Sequence, residues 1–191
     1  MSKKQEDWLV LKKKIKNWIK KNKVIDIFIF GSFVRAKTVP RDIDLCIIIK
    51  DSDEKKTLNL VHSLAQIEDG FKFHINAMTE KDFIIKESSL TKTLIGEGVS
   101  ILKEKSVAQL FGFNAKTMFL YSLKKFSPSK RVRFHYALQG RYSAKGVLDS
   151  INGKIIGNGV IITPTKYEDL FKEFLERWGV DYKTERVLTE S

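Results

Sequence analysis

The sequence predicts an α/β protein (of the α+β type) in two parts: a mixed β-sheet flanked by helices in residues 1–103, and a smaller α/β domain in residues 104–191. Short runs of β-branched and aromatic residues, typical of strands, alternate with longer segments whose apolar residues recur every three or four positions, as in helices. The run Lys-Glu-Lys at 103–105 follows the last strand pattern of the first part, and we place the domain boundary there.

The first part begins with an amphipathic helix. In residues 3–22, one helical face is apolar and lysines cover much of the remaining surface; the apolar residues are Trp8, Leu11, Ile15, Trp18 and Ile19. The same two periodicities predict strands at 25–30 and 42–49, a helix at 55–67, a strand at 71–78, a helix at 81–95 capped by Thr79, and a strand at 99–102.

The second part consists of helix and strand patterns separated by glycine turns. Serine followed by proline, as at 127–128, is typical of a helix start, because serine caps the helix and proline fits its first position. The predicted elements are a short helix at 107–111, a strand at 116–123, a helix at 128–139, a turn region at 153–159, a strand at 160–164, a helix at 165–178 capped by Thr165, and a strand at 182–188.

The composition limits the compartment and the partners. A formal net charge of +12 and a pI near 9.6 favour a polyanionic partner. Cys46 is the only cysteine, and its place in an apolar strand predicts a buried thiol. No apolar run approaches the ~20 residues that span a bilayer, and the N-terminus is charged, unlike a secretion signal. We therefore expect a cytoplasmic protein without a membrane partner, with membrane-surface binding by the first helix as an alternative.

The clearest functional signal is the segment that joins the first two strands. The first strand ends at Gly31-Ser32, and the second begins at Asp42 and Asp44. Since side chains alternate along a strand, both aspartates point to one face, about 7 Å apart. Two such carboxylates repel unless a cation lies between them, and Mg²⁺ is commonly held by carboxylates together with substrate phosphates. Because Gly31 lets the backbone approach a phosphate, the pattern indicates metal-assisted phosphoryl or nucleotidyl transfer.

This pattern resembles the signature of the DNA polymerase β-type nucleotidyltransferases, and the resemblance extends over residues 24–103. It implies a nucleotidyltransferase-like sheet, a nucleoside triphosphate as substrate and Mg²⁺ or Mn²⁺ as cofactor. The site residues that it implies are the triphosphate-binding Gly31, Ser32 and Arg35, and the metal-binding, catalytic Asp42 and Asp44. By this resemblance we expect transfer of a nucleoside monophosphate to a hydroxyl group, with release of pyrophosphate.

One position departs from the family pattern. Members usually carry a third carboxylate on a later strand, where it acts as the base for the attacking hydroxyl. In the strand at 71–78 we align Asn76 with that carboxylate, and His74 lies one pleat earlier on the same face. Asn76 could ligate the metal but cannot accept a proton, whereas His74 can. The chain is then a two-carboxylate enzyme, an enzyme with His74 as a catalytic base, or an inactive transferase fold.

The charge of the second part predicts the acceptor. Residues 116–154 contain nine basic residues and one acid, with aromatic residues between them, a combination typical of RNA or single-stranded DNA binding. The side chains expected at the nucleic acid are Arg131, Arg133, Arg141 and Lys145. We therefore expect a nucleic-acid acceptor, RNA rather than DNA. The alternatives are an inactive RNA-binding protein and, by the resemblance, a transferase that modifies a partner protein in a toxin–antitoxin pair.

Overall fold

The computed structural model describes residues 3–35, 42–51 and 53–190. The link between Arg35 and Asp42 lies outside the described residues. The chain divides into two compact units, Met1–Phe111 and Gly112–Ser191. Each unit combines a β-sheet with helices, so the predicted mixed α/β class is confirmed. The short helix that follows the predicted boundary at 103 belongs to the first unit.

The first unit is built on a four-stranded mixed sheet. Its strands are β1 (Asp26–Phe30), β2 (Asp42–Ile49), β3 (Lys72–Thr79) and β4 (Val99–Ser100). They lie in the order β3-β2-β1-β4, and the β2–β3 pair is parallel whereas the other pairs are antiparallel. The helices are α1 (Lys3–Asn22), α2 (Ser32–Arg35), α3 (Glu54–Ala65), α4 (Glu80–Ile85), α5 (Ser89–Glu97) and α6 (Val107–Leu110).

The alternation of side chains along β2 determines which face of the sheet carries the aspartates. On one face, four aliphatic side chains pack into the main core with residues of α1 and α3: Ile43, Leu45, Ile47 and Ile49. The opposite face carries Asp44, followed by Cys46 and Ile48 in a second, smaller core. Burying each Ile or Leu contributes about 1.5–3 kcal/mol. A shift of the β2 pairing register by one residue would turn all four side chains to the other face and would therefore be very unfavourable. The hydrophobic pattern therefore fixes Asp44 on the face away from the main core.

α1 packs its apolar face into the main core, as predicted, through the buried side chains of Leu11, Ile15 and Ile19. On the solvent side, Lys16 and Lys12 pair with Glu104 at 2.5 and 2.9 Å. The hydrogen bonds from these two lysines lower the pKa of Glu104 to about 2.

Among the helices of the described ranges, none is long and apolar enough to cross a membrane.

The single helix predicted at 81–95 is wrong. The structure has two helices there, α4 and α5. Lys86 adopts an extended conformation and ends α4, and Ser88 begins α5 by accepting a hydrogen bond from the Thr91 amide at 3.0 Å. Serine side chains bind nearby backbone donors in this way and therefore favour helix ends over helix interiors.

The strand predicted at 99–102 covers only Val99–Ser100. The buried carboxylate of Asp26 accepts hydrogen bonds from the Ser100 hydroxyl at 2.5 Å and from the Leu102 amide at 3.2 Å. Because the Leu102 amide is bonded to a side chain, it cannot extend the strand. Burial raises the pKa of Asp26 above its usual range.

The second unit contains a four-stranded antiparallel sheet and a separate two-stranded hairpin. Its strands are β5 (Phe113–Ser122), β6 (Gly140–Arg141), β7 (Ala144–Lys145), β8 (Lys154–Gly157), β9 (Val160–Pro164) and β10 (Asp181–Glu190), and its helices are α7 (Pro128–Gln139), α8 (Val147–Ile151) and α9 (Glu168–Trp178). The sheet has the order β10-β5-β9-β8, and β6 pairs with β7. Phe119, Phe134 and Phe171 are fully buried in the core of this unit.

Four of these elements were not predicted: the strands β6 and β7 of the hairpin, α8 and β8. The segment at 153–159, expected as a turn region, contains β8, which pairs with β9. The turn between them includes Gly159 at a φ of +73°, where a Cβ would lie 2.7 Å from the Tyr121 carbonyl oxygen. β8 was not predicted because it is short, has no buried residue and lies among glycines, so it lacks the half-buried alternation of a typical strand.

The predicted cap of α9 is also wrong. Thr165 begins a 3₁₀ turn, and its buried hydroxyl has no hydrogen bond among the described residues. α9 instead begins at Glu168, whose buried carboxylate accepts hydrogen bonds from Lys172 at 2.5 Å and from Arg186 and Thr117 at 2.9 Å each. Burial alone would raise the pKa of Glu168, but these three hydrogen bonds outweigh it and hold the pKa below the usual value.

Candidate active site

A sharp bend at Gly31 ends β1. Gly31 is buried and has a left-handed φ of +72°. A Cβ at this position would lie 2.3 Å from Oδ2 of Asp44, a separation that real Cβ atoms do not show. Any side chain here would therefore displace the carboxylate. The glycine bend and the Asp44 carboxylate lie directly side by side.

The turn after the bend is the short helix α2. The Val34 amide donates a hydrogen bond to the Gly31 carbonyl at 3.2 Å, and the Ser32 side chain is exposed beside the bend. The ring of Phe33 packs against Trp8 of α1, with 4.4 Å between the ring centroids. This aromatic contact anchors the turn to α1, so the bend is supported from outside the strands.

Arg35, the last residue of α2, is held by a buried acid. Its Nε lies 3.6 Å from Oε2 of Glu97 at the end of α5, and the Glu97 side chain is only 4% exposed. A buried carboxylate needs a partner of opposite charge, and this ion pair links Arg35 to the end of α5. Glu97 was not predicted from the sequence as a site residue. The available signal was an acid between Gly96 and Gly98 at a helix C-terminus, where negative charge is unfavourable.

Asp42 and Asp44 lie on the same side of β2. Asp42 is exposed and Asp44 is half-buried. Asp44 is opposite Phe30 of β1 and opposite His74 of β3. Two residues further along the same face, burial raises the pKa of the Cys46 thiol to about 12. That thiol is therefore protonated at neutral pH and is not a nucleophile.

His74, rather than Asn76, is the β3 residue next to the Asp44 carboxylate. Nδ1 of His74 lies 3.3 Å from Oδ1 of Asp44. Asn76 is opposite Cys46, about 7 Å further along the strand. Within the described ranges, no three His, Cys, Asp or Glu side chains converge as a metal site. The donors present are the Asp44 carboxylate beside the bend and the exposed Asp42 carboxylate two residues earlier on β2. They fit a divalent ion that takes its remaining ligands from substrate phosphates and water.

The four basic residues predicted to contact nucleic acid lie in the second unit. Arg131 and Arg133 are in α7, Arg141 is in β6 and Lys145 is in β7. Two nitrogens of Arg131 are used within the unit: Nε donates to the Phe126 carbonyl at 3.1 Å, and Nη2 donates to the Lys124 carbonyl at 3.4 Å. All four side chains belong to exposed residues.

The family of the first unit follows from comparison with known proteins. Residues 13–106 match the family model described as polymerase beta, nucleotidyltransferase. The matched region includes the glycine bend, both aspartates and His74. Over this region the chain contains a polymerase β-type nucleotidyltransferase domain, as the resemblance predicted. Members of this family typically use a nucleoside triphosphate and a divalent metal ion.

Three solved toxin–antitoxin structures are also similar to this chain. One is a tri-AMPylated Shewanella oneidensis HEPN toxin in complex with an MNT antitoxin; it has 20% identity and a TM-score of 0.37 over 49% of this chain and 70% of that chain. Another is a toxin–antitoxin complex with AMP-PNP, with 20% identity and a TM-score of 0.37 over 47% and 71%. The third is a mutant MntA–HpeT complex, with 18% identity, the same TM-score and the same coverage. No curated protein matches the chain.

Proposed function

We propose that the first unit binds a nucleoside triphosphate and transfers its nucleoside monophosphate to a hydroxyl group of an acceptor, releasing pyrophosphate. The observation that carries this proposal is the contact between the Gly31 bend and the Asp44 carboxylate. A bend that can approach phosphates and a carboxylate that can hold their counter-ion are useful to a triphosphate only when they are adjacent. The match of residues 13–106 to the nucleotidyltransferase family model supports the same reaction class.

Each residue around the bend has a different role in binding the triphosphate and its metal ion. Gly31 allows the backbone to approach a phosphate closely, and Ser32 offers an exposed hydroxyl as a donor. Arg35 supplies positive charge beside the bend. Asp42 and Asp44 would hold Mg²⁺ or Mn²⁺, which when bound offsets the negative charge of the transferring phosphoryl group.

His74 is the group that we propose to accept the proton of the attacking hydroxyl. Its Nδ1 faces Oδ1 of Asp44 at 3.3 Å. With the ring hydrogen on Nδ1, donated to Asp44, the lone pair on Nε2 is available to the acceptor. The hydroxyl oxygen forms a bond to the α-phosphorus, its proton moves to Nε2, and the bond from the α-phosphorus to the pyrophosphate oxygen breaks.

The acceptor has two candidates. The basic second unit predicted a nucleic acid. One similar complex instead contains an AMPylated protein, the HEPN toxin. A hydroxyl of a partner protein is therefore the first acceptor to test, and a nucleic-acid hydroxyl is the second.

A labelling experiment tests both acceptors at once. The purified protein is incubated with each α-³²P-labelled nucleoside triphosphate and Mg²⁺ or Mn²⁺, first alone, then with total RNA, and then with the product of a neighbouring gene. We expect label in a macromolecule and release of pyrophosphate, both dependent on the metal. The Asp44→Asn variant should transfer no label, because the carboxylate is replaced by a neutral amide of the same shape.

Asp51→Asn is the matched control, because Asp51 is an exposed acid just beyond β2 and away from the bend. It should transfer label like the wild type. Label in the partner protein identifies the protein acceptor, and label in RNA identifies the nucleic acid. Absence of label with every nucleotide and acceptor, together with the absence of triphosphate binding, would show an inactive transferase fold and refute the proposal.

A further inference from the structure

The second unit contains a cavity that the proposed transfer does not use. Its volume is about 360 Å³, within the usual range for ligand pockets. Its lining includes Lys124, Arg131 and His135, together with the polar side chains of Ser122 and Asn158. Among the described residues that line it, none is an acid. A polar pocket with this charge fits an anionic group.

The guanidinium of Arg131 is held in position at this cavity. Its hydrogen bonds to the Phe126 and Lys124 carbonyls, at 3.1 and 3.4 Å, use two of its five N–H donors. The two bonds fix the plane of the group and leave further donors for a ligand. His135 follows Arg131 by one helical turn of α7 and lines the same cavity. A fixed guanidinium with further donors is well suited to a phosphate.

The acids near this surface already have partners. A neighbouring cavity includes Asp181, and the carboxylate of Asp181 pairs with Nζ of Lys125 at 2.7 Å. Asp149, the single acid between 116 and 154, accepts a hydrogen bond from the Gly146 amide at 3.0 Å at the start of α8. The charge of Asp181 is therefore already offset by Lys125, and the Asp149 carboxylate is bound at the start of α8.

The turn of the β6–β7 hairpin carries an exposed tyrosine ring, that of Tyr142. Tyr142 is 92% exposed and has a left-handed φ of +53°, a conformation that costs a non-glycine residue about 1–2 kcal/mol. The guanidinium of Arg141 lies 4.6 Å from the ring centroid of Tyr136 and 4.8 Å from that of Tyr142. The hairpin is tight, because a Cβ at Gly140 would lie 2.2 Å from the Ala144 carbonyl oxygen. An exposed ring next to a cation is a surface on which a nucleobase can stack.

We propose that the second unit binds a single-stranded nucleic acid, with a backbone phosphate in the cavity and a base on the Tyr142 ring. His135, at the cavity, and Tyr136, under Arg141, are consecutive residues of α7, so one helix joins the two features. A single strand is required because only unstacked bases can pack on an exposed ring. This inference does not depend on the transfer proposed for the first unit.

Fluorescence anisotropy with labelled oligouridine and oligothymidine tests the proposal on the full-length protein. Tyr142→Ala should weaken binding about ten-fold, the order of one lost stacking interaction, whereas Tyr142→Phe, which keeps the ring, should bind like the wild type. Lys124→Gln should weaken binding and lower the slope of log K against log salt by about 0.7, as expected for one phosphate contact on a single strand. Arg177→Gln is the control for charge, because Arg177 is exposed on α9 and paired with Glu173.

The comparison of the two oligonucleotides distinguishes an RNA site from a site for either single strand. The proposal is overturned if neither oligonucleotide binds at low salt, or if Tyr142→Ala and Arg177→Gln have the same affinity. It is also overturned if an acidic peptide competes as well as the oligonucleotides do, since the surface would then be a general protein-binding patch. Asp44→Asn should leave oligonucleotide binding unchanged, so failure of this proposal and failure of the proposed transfer give different results.

Discussion

Replacing Gly31 with alanine should both destabilise the first unit and abolish triphosphate binding. The new Cβ would lie 2.3 Å from Oδ2 of Asp44, so the carboxylate must move. The left-handed φ of +72° adds a backbone cost. We expect the free energy of unfolding to fall by about 1–2 kcal/mol because of the backbone conformation and by a further amount of about 1–3 kcal/mol because of the overlap with Asp44. Triphosphate binding is lost because the carboxylate leaves its position beside the bend.

Gly70→Ala separates the two contributions. Gly70 also has a left-handed φ, +94°, but a Cβ there would meet no atom within 4 Å. Its replacement should therefore cost only the backbone term of about 1–2 kcal/mol and leave triphosphate binding intact. Urea unfolding of each variant gives the free energies of unfolding, and calorimetric titration with a non-hydrolysable triphosphate analogue and Mg²⁺ gives the binding.

A double-mutant cycle tests whether the clash with Asp44 is the cause. In an Asp44→Ala background the oxygens that the new Cβ would meet are absent, and the remaining Asp44 Cβ lies 3.5 Å away, an ordinary contact. In that background, Gly31→Ala should lower the free energy of unfolding only by the amount due to the left-handed backbone conformation. The coupling energy between the two positions is then about 1–3 kcal/mol. If Gly31→Ala costs the same in both backgrounds, the two residues do not meet as described, and the reasoning is refuted.

Three further predictions concern acids and a histidine. Glu97→Gln should raise the dissociation constant for the triphosphate several-fold in calorimetry without abolishing binding, because Arg35 loses its ionic partner; unchanged affinity would show that this pair does not position Arg35. Because the pKa of Glu168 is lowered by folding, its stabilising contribution is present above its ordinary pKa of 4.5 and is lost as the pH falls below that value. Glu168→Gln should therefore lower the free energy of unfolding at neutral pH and flatten its fall in acid, whereas an unchanged acid profile would contradict the role of the ion pair with Arg186. His74→Ala should reduce the rate of label transfer by about 10²–10⁴-fold with little change in triphosphate affinity, and equal rates would exclude His74 as the base.

The local patterns of the sequence were sufficient to predict the centre of the first unit. β1 and β2 are continuous apolar runs, and the bend at Gly31 and the alternation of Asp42 and Asp44 need only neighbouring residues to define them. The same holds for α7, whose start at Ser127 has its signal within two residues. These elements lie where the local signals placed them because hydrophobic burial and local capping favour the same structure.

The features that escaped prediction depend on distant residues. The neighbour of Asp44 on β3 is set by the register of two parallel strands joined by a long crossover, and no local signal chooses between His74 and Asn76. The pair of Arg35 with Glu97 joins segments far apart in the sequence. The hairpin that carries Tyr142 was missed because its strands have only two residues each, too few for a recognisable period.

The most direct test of the central claim is a calorimetric titration of the wild-type protein and of Asp44→Asn with non-hydrolysable analogues of the four nucleoside triphosphates, each with Mg²⁺ and with EDTA. If the glycine bend and the Asp44 carboxylate share one triphosphate and its metal ion, the wild type binds at least one analogue only in the presence of Mg²⁺, and Asp44→Asn does not bind it. Binding that is equally strong in EDTA, or unchanged in Asp44→Asn, would contradict the account.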